Sequence, residues 1–335
     1  MILVTGATGL LGTHVLYELA SSGQCVRALF RDYKKIELTK QLLKYYQPDN
    51  HNTLEQFIEW KECDILDIVQ LNEAMEGITH IYHCAAIVSF KNGEFSRLIT
   101  ANREGTANVV NIALAHQVKK LCHVSSTAAV GKPLTTKNTV VRETNKWEQN
   151  EATTGYAISK HLAEKEVWRG IEEGLNAVIV NPCVILGPGN WNESSLTIFR
   201  AIQKGMWFYP PGANAIVDAR DVAKRMIFLM NSPVHSERFL IIGEHVSFKK
   251  LFDGIASKIG KRKPFIPVKK WLIGISWRMA SLVSFLTQKP TSLTKQSAIT
   301  AFSTTTYSTD KMDELYPETY IKLEDIIENV TMFNN

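Results

Sequence analysis

Met1-Ile2-Leu3-Val4-Thr5-Gly6-Ala7-Thr8-Gly9-Leu10-Leu11-Gly12 opens the chain, and the reading of this stretch decides the fold. Ile2–Thr5 is a short apolar and β-branched run of the kind that forms a buried strand. Glycines follow at 6, 9 and 12, and a helical pattern, Gly12–Ser22, follows the glycines. Glycine at such positions lets a turn close tightly and lets the backbone approach an anionic ligand. A helix starting there aims unpaired N–H groups and a partial positive charge at the same spot. Strand, glycine turn and helix in this order predict a pyrophosphate cradle for a dinucleotide. Its candidate contacts are Gly6, Thr8, Gly9, Leu10, Leu11 and Gly12.

Outward from this motif, short apolar runs alternate with helical patterns. The strand candidates are Ile2–Thr5, Cys25–Phe30, Phe57–Cys63, His80–Cys84, Lys120–Ser125 and Ala177–Val180. Between them lie Gly12–Ser22, Asp67–Met75, Phe95–Ala115 and Tyr156–Glu173 at helical spacing. This rhythm predicts an α/β fold, a doubly wound parallel sheet of Rossmann type with ligands at the carboxyl ends of its strands. After Asn181-Pro182 the rhythm breaks into loops at Gly187-Pro188-Gly189 and Tyr209-Pro210-Pro211-Gly212. A further unit, Asp221–Met230 into Phe239–Ile242, reads as a return to the sheet. The expected division is a dinucleotide-binding domain over 1–182 and 219–243, with a smaller C-terminal α/β substrate lobe over 183–218 and 244–335.

Composition narrows the classes. The chain has 335 residues, 45% of them hydrophobic and 21% charged, with a net charge of +5. That suits an ordinary globular protein with a sizeable core. Nothing resembles a basic tract or a basic patch interleaved with aromatics, so no nucleic-acid partner is expected. Cys25, Cys63, Cys84, Cys122 and Cys183 are scattered and form no C-x-x-C, so neither a metal site nor a disulfide framework is expected. The first strand begins at residue 2, and no apolar run is long enough for a membrane span. The expectation is a chain without a transmembrane span in a reduced, cytoplasmic compartment.

Thr5-Gly6-x-x-Gly9-x-x-Gly12 at the N-terminus resembles the extended short-chain dehydrogenase/reductase superfamily, the epimerase/dehydratase-like group. Arg27-Ala28-x-x-Arg31-Asp32 is similar to its dihydroflavonol reductase branch. An arginine at the end of the second strand pairs with a 2′-phosphate, whereas a carboxylate there holds a ribose 2′-hydroxyl. Arg31 falls 19 positions after Gly12, which is the spacing for that role, and Lys34 and Lys35 add charge. NADP(H) is therefore expected as cofactor ahead of NAD(H), with Arg31 and Lys35 as ligands. Asp32 leaves the ribose alternative open. The resemblance implies an adenine contact at Asp64-Ile65, although Asp64 also suits a plain turn. Ala85 and Ala86 are small enough for a cofactor to lie against the backbone, and would look the same as core alanines.

The chemical signal is Tyr156-Ala157-Ile158-Ser159-Lys160 at the start of an amphipathic helix. Tyrosine and lysine at i and i+4 share one helix face, and a neighbouring ammonium is expected to lower the phenol's pKa. Leu121-Cys122-His123-Val124-Ser125-Ser126-Thr127 supplies a serine at a strand's carboxyl end, where it can donate to a developing oxyanion. Strand alternation allows only one of Ser125 and Ser126 to face the site. The resemblance favours Ser126, with Thr127 weaker and Ser125 structural. The resemblance also implies a catalytic set Ser126, Tyr156 and Lys160, with Tyr156 and Lys160 contacting the cofactor. It adds Asn102 in Asn102-x-x-Gly105-Thr106-x-Asn108 as a residue that positions the lysine or a water, while a purely structural asparagine is equally open. Pro182 and Val184 are placed beside the nicotinamide. Asp221 reads as a helix cap or ion-pair partner.

Three functions fit. The first is reversible reduction of a ketone or aldehyde to an alcohol with NADP(H), on a small-molecule substrate that is bulky and apolar if the small lobe lines its pocket. The second is a nucleotide-sugar epimerase or dehydratase that retains NAD and holds a diphosphate with Arg200, Lys204 or Arg220. The third is a sensor that binds NADP(H) without turnover. Trp271–Leu286 carries apolar residues at helical spacing and reads as a buried helix, a wall of the substrate pocket or a membrane-surface helix. The resemblance also implies a homodimer through Phe95–Ala115 and Tyr156–Glu173.

Overall fold

A computed structural model describes residues 1–49, 51–91, 93–131, 140–269 and 295–334. Seven strands form one parallel sheet: β1 (Ile2–Thr5), β2 (Val26–Phe30), β3 (Ile58–Glu62), β4 (His80–His83), β5 (Lys120–Val124), β6 (Ala177–Pro182) and β7 (Glu237–Ile241). Their order across the sheet is β7-β6-β5-β4-β1-β2-β3. The order reverses between β1 and β4, which opens a crevice at the carboxyl ends of those strands, where open α/β sheets take their ligands.

Alternation along each strand feeds two cores. Val4, Tyr82, Cys122, Val178 and Val180 face one layer, with Leu11, Val15 and Leu19 from helix Leu10–Ser21 and Val222, Met226 and Leu229 from helix Ala219–Asn231. Leu3, Ile81, Leu121, Ala177 and Ile179 face the other, with Val109, Val110 and Ala113 from helix Gly105–Ala115 and Val167 from helix Gly155–Glu172. The sheet is thus buried on both faces, which is why its strands read as short continuous apolar runs.

A third core lies in the C-terminal part. Leu186, Phe199, Ile202, Ile216, Val246, Phe252, Ile255, Ile326 and Val330 gather there. They are backed by a three-stranded sheet of Val184–Leu186, Ala213–Asp218 and Glu244–Ser247. Trp271–Leu286 lies outside the described residues.

Several elements depart from the sequence expectation. Helix Lys34–Tyr46 fills the β2–β3 connection, and its polar composition hid it. The stretch expected as one helix over Phe95–Ala115 is interrupted by a π-helical segment, Ile99–Glu104. The cap of helix Ala219–Asn231 is Asp218, which accepts from the Arg220 N–H, rather than Asp221. Asp221 instead pairs with Arg225 at 3.5 Å and accepts from the Ile321 N–H at 2.8 Å.

Candidate active site

The glycine turn leaves no room for side chains. Gly6 has φ +64°, and a Cβ there would sit 2.7 Å from the Ala85 Cα. A Cβ on Gly12 would come within 2.2 Å of the Gly6 carbonyl oxygen. The Gly9 N–H closes the turn onto that same carbonyl at 3.0 Å. Helix Leu10–Ser21 starts here with no side-chain cap and no acidic residue in its first turn. Its first N–H groups therefore face the crevice with their positive potential uncompensated, the condition an anion needs. Thr8, Gly9 and Leu10 line this edge half-buried, while Leu11 turns into the core. These residues fit a dinucleotide diphosphate.

At the end of β2, Arg31 and Asp32 separate. The Asp32 carboxylate accepts from the Lys34 N–H at 3.0 Å and serves the start of the next helix. Arg31 stays 57% exposed and meets Asp64, which follows the neighbouring strand β3, at 3.5 Å. That pair is loose and solvated, so it holds the guanidinium weakly. Lys35 reaches instead to Glu193 at 2.9 Å. Ile65 is buried over Gly105, where a Cβ would clash with its side chain at 2.6 Å. The Ala85 N–H donates to the Thr5 hydroxyl, which also bonds the His83 ring, so the β4 end is tied to β1 beside the turn. Ala86 follows, exposed. Burial drives His83 down to about 3, with Lys160 acting the same way, so the ring is neutral and packed.

Ser126, Tyr156 and Lys160 come together at the carboxyl end of β5. Helix Gly155–Glu172 starts at the Thr154 cap and lays Tyr156 and Lys160 along the face turned to that strand. Ser126 has extended backbone and sits half-buried, hydrogen-bonded to the Tyr156 hydroxyl. Ser125 points the other way, buried, and donates to Glu164 at 2.6 Å. Lys160 is 2% exposed and donates to the Val124 carbonyl at 2.7 Å. Burial pushes its pKa down to about 8, with Glu164 and then Cys84 opposing.

Tyr156 corrects the expectation of an ammonium-lowered phenol. Burial pushes its pKa up, and the opposing influence is the Ser126 hydrogen bond rather than Lys160. The lysine ammonium is engaged by the Val124 carbonyl, and desolvation of the phenolate wins.

Asn102 sits in the π-helical segment with its amide fully engaged. It accepts from the Ile87 N–H at 2.7 Å, and donates to the Ile87 carbonyl at 3.0 Å and to the Ser159 hydroxyl at 2.9 Å. It thereby fixes the loop after β4 against the residue next to Lys160. Pro182 ends β6 and Val184 begins a strand of the three-stranded sheet, with buried Cys183 between them. Arg220 is held by Asp218 through two contacts of 2.9 Å.

Glu164 escaped the sequence reading. It lies one turn beyond Lys160 and is 2% exposed. Its oxygens accept from Ser125, from Asn181 Nδ2 at 2.8 Å, from Trp168 Nε1 at 3.2 Å and from Arg238 at 2.9 Å. Asn181 also donates to the Ser126 carbonyl at 3.0 Å. Glu164 thus clamps the end of β5 to the helix carrying Tyr156 and Lys160. The available signal was the i, i+4, i+8 spacing from Tyr156 through Lys160.

Comparison with known proteins gives the family of the chain. Residues 2–243 match the NAD dependent epimerase/dehydratase family. The chain is 29% identical to sterol demethylase protein B of Methylococcus capsulatus over 270 residues, covering 79% of this chain and 76% of that protein. It is 30% identical to cinnamoyl-CoA reductase 1 of Oryza sativa, covering 72% and 71%. A putative dihydroflavonol 4-reductase of Synechocystis is 25% identical, covering 86% and 81%. Among solved structures, UDP-glucuronic acid 4-epimerase from Bacillus cereus superposes with a TM-score of 0.74 at 16% identity, covering 100% and 99%, a likeness of fold alone.

Proposed function

The chain belongs to the NAD dependent epimerase/dehydratase family, whose members bind a nicotinamide cofactor, and from that premise we propose that it is an NADP(H)-dependent reductase of a ketone or aldehyde. The observation that carries the reading is the convergence of Ser126, Tyr156 and Lys160 at the crevice beside an uncapped glycine turn. A nicotinamide bound there supplies the hydride. Ser126 and Tyr156 would hold the substrate oxygen between two hydroxyl donors as charge develops on it. Tyr156, kept protonated by burial, gives the proton to that oxygen. Lys160 stands one turn behind, its pKa pushed down to about 8 by burial, and would return a proton to the Tyr156 phenolate. Asn102 and Glu164 position this set without touching the reacting atoms. Gly6, Thr8, Gly9, Leu10, Leu11 and Gly12 would hold the diphosphate, Asp64 and Ile65 the adenine side, and Ala85, Ala86, Pro182 and Val184 the nicotinamide side.

Arg31 supports the preference for NADP(H), because Asp32 is turned to the Lys34 N–H and leaves the guanidinium to meet a 2′-phosphate. The alternative, a nucleotide-sugar enzyme retaining NAD, loses Arg220 as a diphosphate ligand to its pairing with Asp218. Relatives named for sterol, dihydroflavonol and cinnamoyl substrates support a bulky, ring-bearing carbonyl compound bound by the C-terminal lobe. The reading includes a homodimer and a cytoplasmic setting. The five free cysteines suit that setting, and light scattering tests the dimer.

The deciding experiment is titration of purified protein with NADPH and NADH, repeated on Arg31→Ala. The wild type is expected to prefer exchangeable NADPH, and Arg31→Ala to lose affinity for NADPH at least tenfold more than for NADH. Equal losses sink the phosphate assignment. NAD that co-purifies and resists exchange moves the nucleotide-sugar reading to first place.

A further inference from the structure

The charge of this protein is unevenly placed. Between Asp253 and Asp310 the sequence contains no acidic residue, yet it carries Lys258, Lys261, Arg262, Lys263, Lys269, Lys270, Arg278, Lys289 and Lys295. These are nine of the 38 lysines and arginines, so the rest of the chain has 29 against 33 acidic residues and is net negative.

The structure brings part of this stretch to one exposed ribbon. Strand Phe208–Tyr209 pairs in parallel with strand Ile266–Pro267, and the Phe265 N–H donates to the Trp207 carbonyl at 3.0 Å. Trp207 is 60% exposed, and Phe208 and Phe265 are each 49% exposed. Lys204, Lys261, Arg262, Lys263 and Lys269 are exposed around them, and Arg262 lies over the Phe265 ring at 4.2 Å. Among the described residues none of these five cations is in an ion pair, whereas Lys249, Lys250 and Lys258 of the same lobe are all paired. Three large aromatics left in water are costly without a partner, and free cations around them state the partner's charge.

We propose that this ribbon is a docking surface for an anionic lipid membrane, on which the protein sits peripherally. Tryptophan and phenylalanine enter the headgroup region, and the lysines and arginines meet the lipid phosphates. An exposed ribbon with projecting rings suits a planar interface better than a nucleic-acid strand, which needs a groove that tracks its backbone. No described helix is long and apolar enough to cross a membrane, so attachment is by surface contact. The residues of this surface are none of those of the Ser126–Tyr156–Lys160 cluster, and the inference stands apart from the reductase reading.

The test is co-sedimentation of the full chain with phosphatidylcholine vesicles, with and without phosphatidylglycerol, across a NaCl series. The wild type is expected to bind the anionic vesicles, to ignore pure phosphatidylcholine and to lose binding as salt rises. Lys261→Gln/Arg262→Gln/Lys263→Gln should weaken binding roughly 100-fold at low salt. Trp207→Ser should weaken it separately and remove the quenching of tryptophan emission by brominated lipid; both variants should keep the wild-type Tm. Anionic-vesicle binding that survives both variants overturns the proposal. So does absence of vesicle binding, and so does salt-sensitive binding of a single-stranded oligonucleotide in its place.

Discussion

Tyr156 and Lys160 stand one helical turn apart, and burial acts on both by favouring the neutral form. The phenol keeps its proton more tightly, while the ammonium releases its own near pH 8. This suits a reduction in which Tyr156 is the acid and Lys160 its near-neutral neighbour. Tyr156→Phe should lower turnover by about 10³-fold or more, within the range of lost general acid catalysis, with cofactor affinity within about twofold of wild type. Steady-state kinetics beside cofactor titration check this, and retained turnover removes the phenol from the mechanism. Glu164 opposes the fall in the Lys160 pKa, and His83 and His123 from β4 and β5 and Cys84 after β4 also feel the lysine. Protonated Lys160 persists below about pH 8 and is lost above it. Glu164→Gln removes a carboxylate that holds this pKa up, so the alkaline limb of kcat should move to lower pH. Glu164→Asp should restore part of the shift. A limb that stays in place while kcat falls would make Glu164 purely structural.

The glycine turn and the first helix show a conflict within one element. Alanine is a better helix former than glycine by about 1 kcal/mol, so propensity alone makes Gly12→Ala stabilising. The close approach of Gly6 and Gly12 forbids it, because the added Cβ meets the Gly6 carbonyl. Gly12→Ala is expected to lose at least tenfold in dinucleotide affinity with no gain in Tm. Calorimetry on the cofactor checks the first part and thermal melting the second. Helix Gly155–Glu172 was legible because its active face is periodic, whereas Lys34–Tyr46 is mostly polar and only tertiary packing reveals its buried Ile36, Leu42 and Leu43. The π-helical turn at Ile99–Glu104 also left no pattern, yet it aims Asn102 at Ile87 and Ser159.

Across the whole molecule, a buried cation on helix Ala219–Asn231 helps tie the C-terminal segment to the rest of the chain. Arg225 is fully buried, donates to the Glu318 carbonyl at 2.6 Å, and lies over the rings of Tyr320 at 3.6 Å and Tyr316 at 5.0 Å. Arg225→Met leaves Asp221 buried without its cation. Removing one member of such a pair costs about 3–5 kcal/mol. A fall in Tm on the order of 5–10 °C is expected by calorimetry. An unchanged Tm would mean that the tail is held by its apolar contacts alone.

The sequence alone determined the sheet, the glycine turn and the order of the serine, tyrosine and lysine. These depend on local spacing: a strand of a few residues, a turn that tolerates only glycine, a helix whose face repeats every four residues. Tertiary structure decided how each side chain is used. Asp32 turns to the Lys34 N–H at the start of the next helix and leaves Arg31 only a loose pair with Asp64, because of where the β2 end meets Lys34. Ser126 rather than Ser125 meets Tyr156 because Glu164 takes Ser125 on the opposite face. The Tyr156 pKa rises because desolvation outweighs an ammonium already engaged by a backbone carbonyl. Burial, facing and competition for hydrogen-bond partners are properties of the packed chain, and residue spacing does not encode them.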